Sequence, residues 1–462
     1  MSHEHAPSGQ SSERATVPLA TAGERANGPD GTLDLPPAPG VAAARALDDP
    51  GYAAVAASAG LKRIVVYSHD TFGFGSVRRT LDISRHLVTV VPNLSVLIIS
   101  GSPLLHASRT PSRVDYVKLP CLARTSEGAY EVKSLGVGYE ELIHLRTTLT
   151  TSAILDFSPD LILVDKKPLG VSNELSQALQ LLNTRGARTK VVLLLKDILD
   201  DPVTTAAIWQ RHRYHEAIRS FYDRILVLGS SDIFDLVSEY RFPPLSRAKV
   251  HFCGYLCGDR GSRTRDQTRG MLGVHDERLV LVAGGSGETG YRLMANYVDG
   301  FNRLPNDTKI KSLLICGPEM SEPDRRRIRD AAVHPQLLTQ EFDDDMMSCI
   351  DAADVVVSLA GYNTVCDILS LRKRAIVVPR MRSSREQLIR AERLARLGLL
   401  RALHPDRLTP TRLMHAVMEE LWAHDDGPRE ACKVDLDGMS RVAGSLQALL
   451  HDGARLSPAL TT

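Results

Sequence analysis

Ser358-Leu-Ala-Gly-Tyr-Asn-Thr-Val-Cys-Asp-Ile-Leu369, set between the apolar runs Ala353-Asp-Val-Val-Val357 and Ala375-Ile-Val-Val-Pro379, reads as strand, glycine turn, helix, strand. Such a turn puts Ser358 to Thr364 at the carboxyl end of a strand and the amino end of a helix. Backbone N–H groups and the helix dipole face a ligand there. An acid, Asp367, follows one turn into the helix.

The same alternation extends in both directions. From Arg63 onward, short apolar runs alternate with amphipathic stretches of helical length, the pattern of parallel sheets covered by helices. Strands are expected at Arg63–Tyr67, Leu94–Ile99, Asp115–Leu119, Leu161–Val164, Lys190–Leu195, Arg224–Leu228 and Lys249–Phe252, then at Arg278–Ala283, Ser312–Cys316, Asp354–Ser358 and Arg374–Val378. Between the two sets, Gly258-Asp-Arg-Gly-Ser-Arg-Thr-Arg-Asp-Gln-Thr-Arg269 is polar, has two glycines and no apolar period, and reads as a linker.

The expected organisation is α/β, with two doubly wound, Rossmann-like domains. It runs as a disordered tail (1–58), a first domain (59–257), a linker (258–276), a second domain (277–435) and a C-terminal helix with a tail (436–462). The tail assignment rests on an Ala, Gly, Pro, Ser and Thr-rich composition with no basic segment leading into an apolar one.

Composition excludes some classes. The 462 residues carry 56 Lys and Arg against 55 Asp and Glu, a formal charge of +1, mixed along the chain. That provides no broad footprint for a nucleic acid. The longest apolar runs, such as Lys190-Val-Val-Leu-Leu-Leu195, fall far short of the roughly 20 residues of a membrane-spanning helix. The seven scattered cysteines fit free thiols in a reducing cytoplasm.

Four other segments carry chemistry. Val282-Ala-Gly-Gly-Ser-Gly-Glu-Thr-Gly290 follows a buried run and opens a helix; its glycines let backbone approach a phosphate. No Gly-Lys-Ser/Thr follows, and the spacing is not G-x-G-x-x-G, so a mononucleotide phosphate fits better than a P-loop or dinucleotide site.

Tyr67-Ser-His-Asp-Thr-Phe-Gly-Phe-Gly-Ser-Val-Arg-Arg79 repeats the design in the first domain. Arg78 and Arg79 oppose the dipole of the helix they open unless an anion or carboxylate sits beside them. His69 and Asp70 end a strand, where open α/β sheets gather ligand chemistry, and either could act as a general base toward a hydroxyl. The alternatives are a turn acid at Asp70 and a structural imidazole at His69.

Gln340-Glu-Phe-Asp-Asp-Asp-Met346 precedes a helix, with Asp343 or Asp344 expected as its N-cap rather than as part of a metal cluster. In Ser383-Ser-Arg-Glu-Gln-Leu-Ile-Arg-Ala391, Glu386 and Gln387 open a helix with groups suited to sugar hydroxyls.

Taken in order, Gly284-Gly-Ser-Gly287, Glu341-Phe342, Ala353-Asp-Val-Val-Val-Ser-Leu-Ala-Gly-Tyr-Asn-Thr-Val-Cys-Asp367, Val378-Pro379 and Glu386-Gln387 resemble the donor domain of MurG-like glycosyltransferases. The match covers about residues 278–400. The segment 68–79 looks more like a separate bacterial branch of that superfamily than like MurG itself.

The resemblance implies a GT-B fold and metal-independent, inverting transfer of a sugar from a UDP donor. No cofactor is implied. The partners would be a nucleotide sugar and a small-molecule or lipid-linked acceptor, with the protein cytoplasmic or peripheral at the inner face of the membrane. Gly284, Gly285, Ser286 and Gly287 would line the diphosphate, and Phe342 would present backbone to uracil. Gly361, Asn363 and Thr364 would continue the phosphate pocket, Asp367 would hold the ribose, and Glu386 with Gln387 would read the sugar.

Gly73, Gly75, Ser76, Arg78 and Arg79 would face the diphosphate or acceptor from the other side, with Asp70 or His69 as base. Two departures stand out: Asp367 replaces the family's usual glutamate, and Ser76 replaces its usual histidine. A nucleotide-sugar 2-epimerase and a non-catalytic binding protein are the alternatives.

Overall fold

The computed structural model describes residues 60–69, 75–103, 105, 110–125, 130–258, 260–285, 290–317, 320–381, 384–423 and 434–452. The expected tail (1–58) and Asp70, Gly73, Ser286 and Gly287 lie outside the described residues.

The first lobe is built on strands β1 (Lys62–Ser68), β2 (Leu94–Ser100), β3 (Val114–Lys118), β6 (Leu161–Asp165), β7 (Lys190–Lys196), β8 (Arg224–Leu228) and β9 (Val250–Phe252). They form one parallel sheet in the order β3-β2-β1-β6-β7-β8-β9. A small antiparallel pair, β4 (Leu122–Arg124) and β5 (Tyr130–Val132), stands apart from it.

The second lobe has β10 (Arg278–Ala283), β11 (Ile310–Ile315), β12 (Leu337–Gln340), β13 (Val355–Ser358), β14 (Arg374–Val377) and β15 (Arg401–Ala402), parallel in the order β12-β11-β10-β13-β14-β15. Every expected strand is present to within two residues at each end. The edge strands β12 and β15 and the β4–β5 pair were not foreseen, because they are short and only partly buried, so their apolar signal is weak.

Successive residues of a strand point to opposite faces, and the central strands here are apolar on both. Ile64, Val66 and Leu163 pack on one face, and Val65, Ile162 and Val164 on the other. The first of these clusters continues through Tyr255 and Tyr362 to Val356 of the second lobe, so the lobes share apolar core at their junction.

Six helices matter below: α1 (Gly75–Val90), α2 (Arg265–Met271), α3 (Gly290–Phe301), α4 (Tyr362–Ser370), α5 (Glu386–Arg396) and α6 (Gly438–Asp452). The segment read as linker is not extended chain, for it contains α2. Thr264 and Gln267 close a capping box at its start. Its polar character serves docking: Arg263 pairs with Asp343 at 2.8 Å, and Arg265 and Arg269 pair with Asp354 at 2.6 and 3.1 Å.

The N-cap of helix Met346–Ala352 is Asp345, not Asp343 or Asp344. Its carboxylate accepts from the Ser348 N–H and also from Ser262, whereas Asp343 is taken by Arg263. Helix α6 returns to the first lobe, where Val442, Leu446 and Leu450 are buried and Arg224 donates to the Ser445 hydroxyl at 2.7 Å. Among the described residues no helix is long and apolar enough to cross a membrane.

Candidate functional site

In each sheet the strand order reverses at one point, between β1 and β6 and between β10 and β13. A crevice opens outside the carboxyl ends at such a point. The chemistry-bearing segments of both lobes end there.

On the second lobe, Ala283 lies in register with Ser358, which brings the turn after β10 beside the turn after β13. Gly285 has φ +76°, and a Cβ on Gly290 would come within 2.4 Å of the Gly284 carbonyl oxygen, so backbone closes on backbone where α3 begins. Gly361 is the N-cap of α4 with no side-chain cap, leaving the first-turn N–H groups, with half-buried Asn363 and Thr364, available to an anion.

Val378 N–H bonds the Ser358 carbonyl, carrying the chain from β14 toward Glu386 and Gln387 at the head of α5, where Gln387 accepts from the Arg380 N–H at 3.0 Å. Phe342 follows β12, two strands from β10 and so about 10 Å away, and is 53% exposed. Phe342, Gly284–Gly285, Gly361–Thr364 and Glu386–Gln387 thus line one sheet edge in a row.

The first lobe meets that edge directly. The Asn363 side chain donates to the Gly75 carbonyl at 2.9 Å. Arg78 holds Asp367 at 3.0 and 3.2 Å, and Lys196, the last residue of β7, pairs with Glu386. Arg79 donates to Asp165 at 2.7 Å and to the Ser76 hydroxyl at 3.1 Å. The two arginines that oppose the dipole of α1 therefore each have a carboxylate, one from each lobe. His69 is buried, with Nε2 3.2 Å from the Tyr130 hydroxyl.

Three functional candidates escaped the sequence reading: Lys196, Asp197 and Arg390. Arg390 forms a two-pronged ion pair with Asp197 at 2.6 and 2.9 Å and donates to the Ala360 carbonyl at 2.9 Å, with both side chains essentially inaccessible. The signal was present, since Lys196-Asp197 ends a strand just as His69-Asp70 does, and Arg390 lies one turn after Glu386 on the same helix face.

Burial shapes the ionisation of these groups. The Asp367 carboxyl is raised above its ordinary range by burial, which outweighs Arg78. The Lys196 ammonium is lowered by burial, against which the attraction of Glu386 does not prevail, and Lys166 and Arg390 add repulsion. Burial also opposes ionisation of Glu386, but Lys196, Arg390 and Lys166 win and hold it at about 2.

A carboxyl depressed from its free value of 4.5 contributes stability that is fully present above that pH and is lost as pH falls toward 2. The depression corresponds to about 3 kcal/mol. Glu386→Gln is therefore expected to be less stable than the parent at pH 6 by up to that amount, with the gap closing between about pH 4.5 and 2. Denaturant titrations at several pH values measure it; a gap that is constant with pH would contradict the assignment.

Among the described residues no three His, Cys, Asp or Glu side chains gather as metal ligands do. The six described cysteines are free thiols.

Residues 279–431 match the glycosyltransferase family 28 C-terminal domain. A UDP-N-acetylglucosamine–N-acetylmuramyl-(pentapeptide) pyrophosphoryl-undecaprenol N-acetylglucosamine transferase from Clostridioides difficile is 26% identical over 215 residues, 46% of this chain and 51% of that enzyme. The chain spans about half or less of the length of the curated relatives it matches.

Among solved structures, MurG of Acinetobacter baumannii superposes with a TM-score of 0.53 at 15% identity, covering 84% of this chain and 99% of that one. The UDP-GlcNAc 2-epimerase of Neisseria meningitidis gives 0.52 at 11%, covering 85% and 100%. These two likenesses concern the fold, which is GT-B.

Proposed function

We propose that this chain, a GT-B protein whose second half resembles the MurG-like glycosyltransferases, transfers a sugar from a UDP donor to an acceptor hydroxyl with inversion, the sugar being N-acetylglucosamine or a related hexose. The observation that carries the reading is the row of groups on one sheet edge at the switch point of the second lobe. It runs from Phe342 past the two glycine turns to Glu386 and Gln387, with Asp367 one turn inside α4. Its order follows that of a nucleoside, a diphosphate and a sugar.

In this reading Phe342 presents backbone to the base and Asp367 takes the ribose hydroxyls. The N–H groups of the turns at 284–287 and 361–364 hold the diphosphate, and Glu386 and Gln387 hold the sugar. The acceptor, small or lipid-linked, sits on the first lobe. Its hydroxyl loses a proton to Asp70 or His69 and attacks the anomeric carbon from the face opposite the diphosphate. As that bond breaks, negative charge grows on the diphosphate and is stabilised by N–H groups already aimed at it. The lobes, pressed together at this edge, exclude the water that would otherwise hydrolyse the donor.

The test is a panel of nucleotide sugars, with thermal shift and release of nucleoside diphosphate as readouts. A UDP-sugar is expected to raise the melting temperature and to yield UDP when an acceptor is present. Stabilisation by no UDP-sugar would overturn the donor assignment. Asp70→Asn is expected to keep donor binding and lose turnover. The shared fold with 2-epimerases supports a second reading, which product analysis separates, because an epimerase returns an isomeric UDP-sugar without an acceptor.

A further inference from the structure

The two second-lobe carboxylates assigned to the donor are both held by cations of the first lobe. Arg78 grips Asp367, which is 3% exposed, and Lys196 grips Glu386. The cleft at the first of these pairs is lined by Arg78, Asp82, Cys257, Asn363, Cys366 and Asp367. A ribose reaching Asp367 and a sugar reaching Glu386 must therefore displace an arginine and a lysine. Arg78 would then keep only its longer pair with Asp82 at 3.7 Å, and Lys196 would lose the carboxylate it holds, and a charge left under-compensated in a half-buried cleft is costly.

The turn after β13, which leads into the helix of Asp367, is flanked on one side by the turn after β10 and on the other by the strand that leads to Glu386. The donor itself thus brings the nearest new anion, and its two negative charges match the two displaced cations. The lobes need not part for this exchange, because the buried Asp197–Arg390 pair, next to Lys196 and one turn from Glu386, holds the joint.

We propose that Arg78 and Lys196 are exchange ligands. Without donor they close the ribose and sugar carboxylates, and with donor they move onto the diphosphate, where they bind the leaving group. The proposal rests on the donor reading for its second half only. The resting latch stands on the ion pairs alone.

The first half is tested on ligand-free, full-length protein by the rate of iodoacetamide alkylation at Cys366, which is 1% exposed beside Asp367, mapped by mass spectrometry. Arg78→Gln is expected to raise that rate about tenfold, the worth of a charge-assisted hydrogen bond. Arg78→Lys should restore protection. An unchanged rate in Arg78→Gln overturns the latch. If Cys316, buried elsewhere in the second lobe, is alkylated as well, the variant has unfolded and the comparison of Arg78→Lys with the parent decides, equal rates supporting the latch and a raised rate overturning it.

The second half is tested by calorimetric binding of uridine and UDP. Arg78→Gln and Lys196→Gln are expected to bind uridine at least as tightly as the parent, while the preference for UDP over uridine falls about tenfold in each. A preference that is unchanged in both variants overturns the exchange. If the parent binds neither ligand while Cys366 still responds to Arg78→Gln, the donor reading and the exchange fall and the latch stands.

Discussion

Asp197→Ala is expected to lower the stability of the chain by about 3–5 kcal/mol, the cost of stranding one partner of a buried ion pair. Asp197 and Arg390 are 1% and 0% exposed, and the guanidinium makes two short bonds to the carboxylate and one to the Ala360 carbonyl. The Tyr362 ring lies 5.6 Å from it, and the Tyr255 hydroxyl is 3.4 Å from the carboxylate. With the carboxylate gone, a cation is left in the core of the lobe junction without its partner.

Guanidinium chloride denaturation measures the loss. The double variant Asp197→Leu with Arg390→Met should recover most of it, since the penalty comes from the stranded charge and not from the lost attraction. A loss below about 1 kcal/mol would place the pair with weak surface bridges, contrary to its burial.

The second large effect is on ligand affinity. Asp367→Ala is expected to weaken UDP binding by about 100-fold, the loss of hydrogen bonds from ribose hydroxyls to a buried carboxylate. Selectivity should move with it. The parent should prefer UDP to its 2′-deoxy analogue, and the variant should bind both alike, because a site built to pair a hydroxyl rejects a ligand without one. Calorimetry with the two nucleotides reads both effects. Retention of UDP affinity and of the deoxy discrimination together would remove Asp367 from the ribose.

The carboxyl edge of the second sheet was largely legible in the sequence. Val355–Ser358 and Arg278–Ala283 are apolar enough to be interior strands, and the glycines that follow, Gly284 directly after Ala283 and Gly361 three residues after Ser358, mark turns where backbone can approach backbone or a ligand. That the linker docks on the second lobe and holds a helix was not legible, for an instructive reason. Arg263, Arg265 and Arg269 look like solvated charge when no partner is in view, yet Asp343 and Asp354, about eighty to ninety residues on, bind them to the second lobe. The capping pair Thr264 and Gln267 was the local clue that a helix begins there.

The sequence by itself determined the two doubly wound sheets and the order of glycine turns and polar groups at the carboxyl ends of the second. Strand burial, turn chemistry and helix starts are written in residues a few positions apart. Only the tertiary structure decided which charge answers which. Arg78 finds Asp367 across 289 positions, Lys196 finds Glu386 across 190, and Asp197 finds Arg390 across 193. The physical reason is that a charged side chain carries no local record of its partner. The partner is chosen when the shared apolar core seats one lobe on the other, and burial then makes each pairing costly to break.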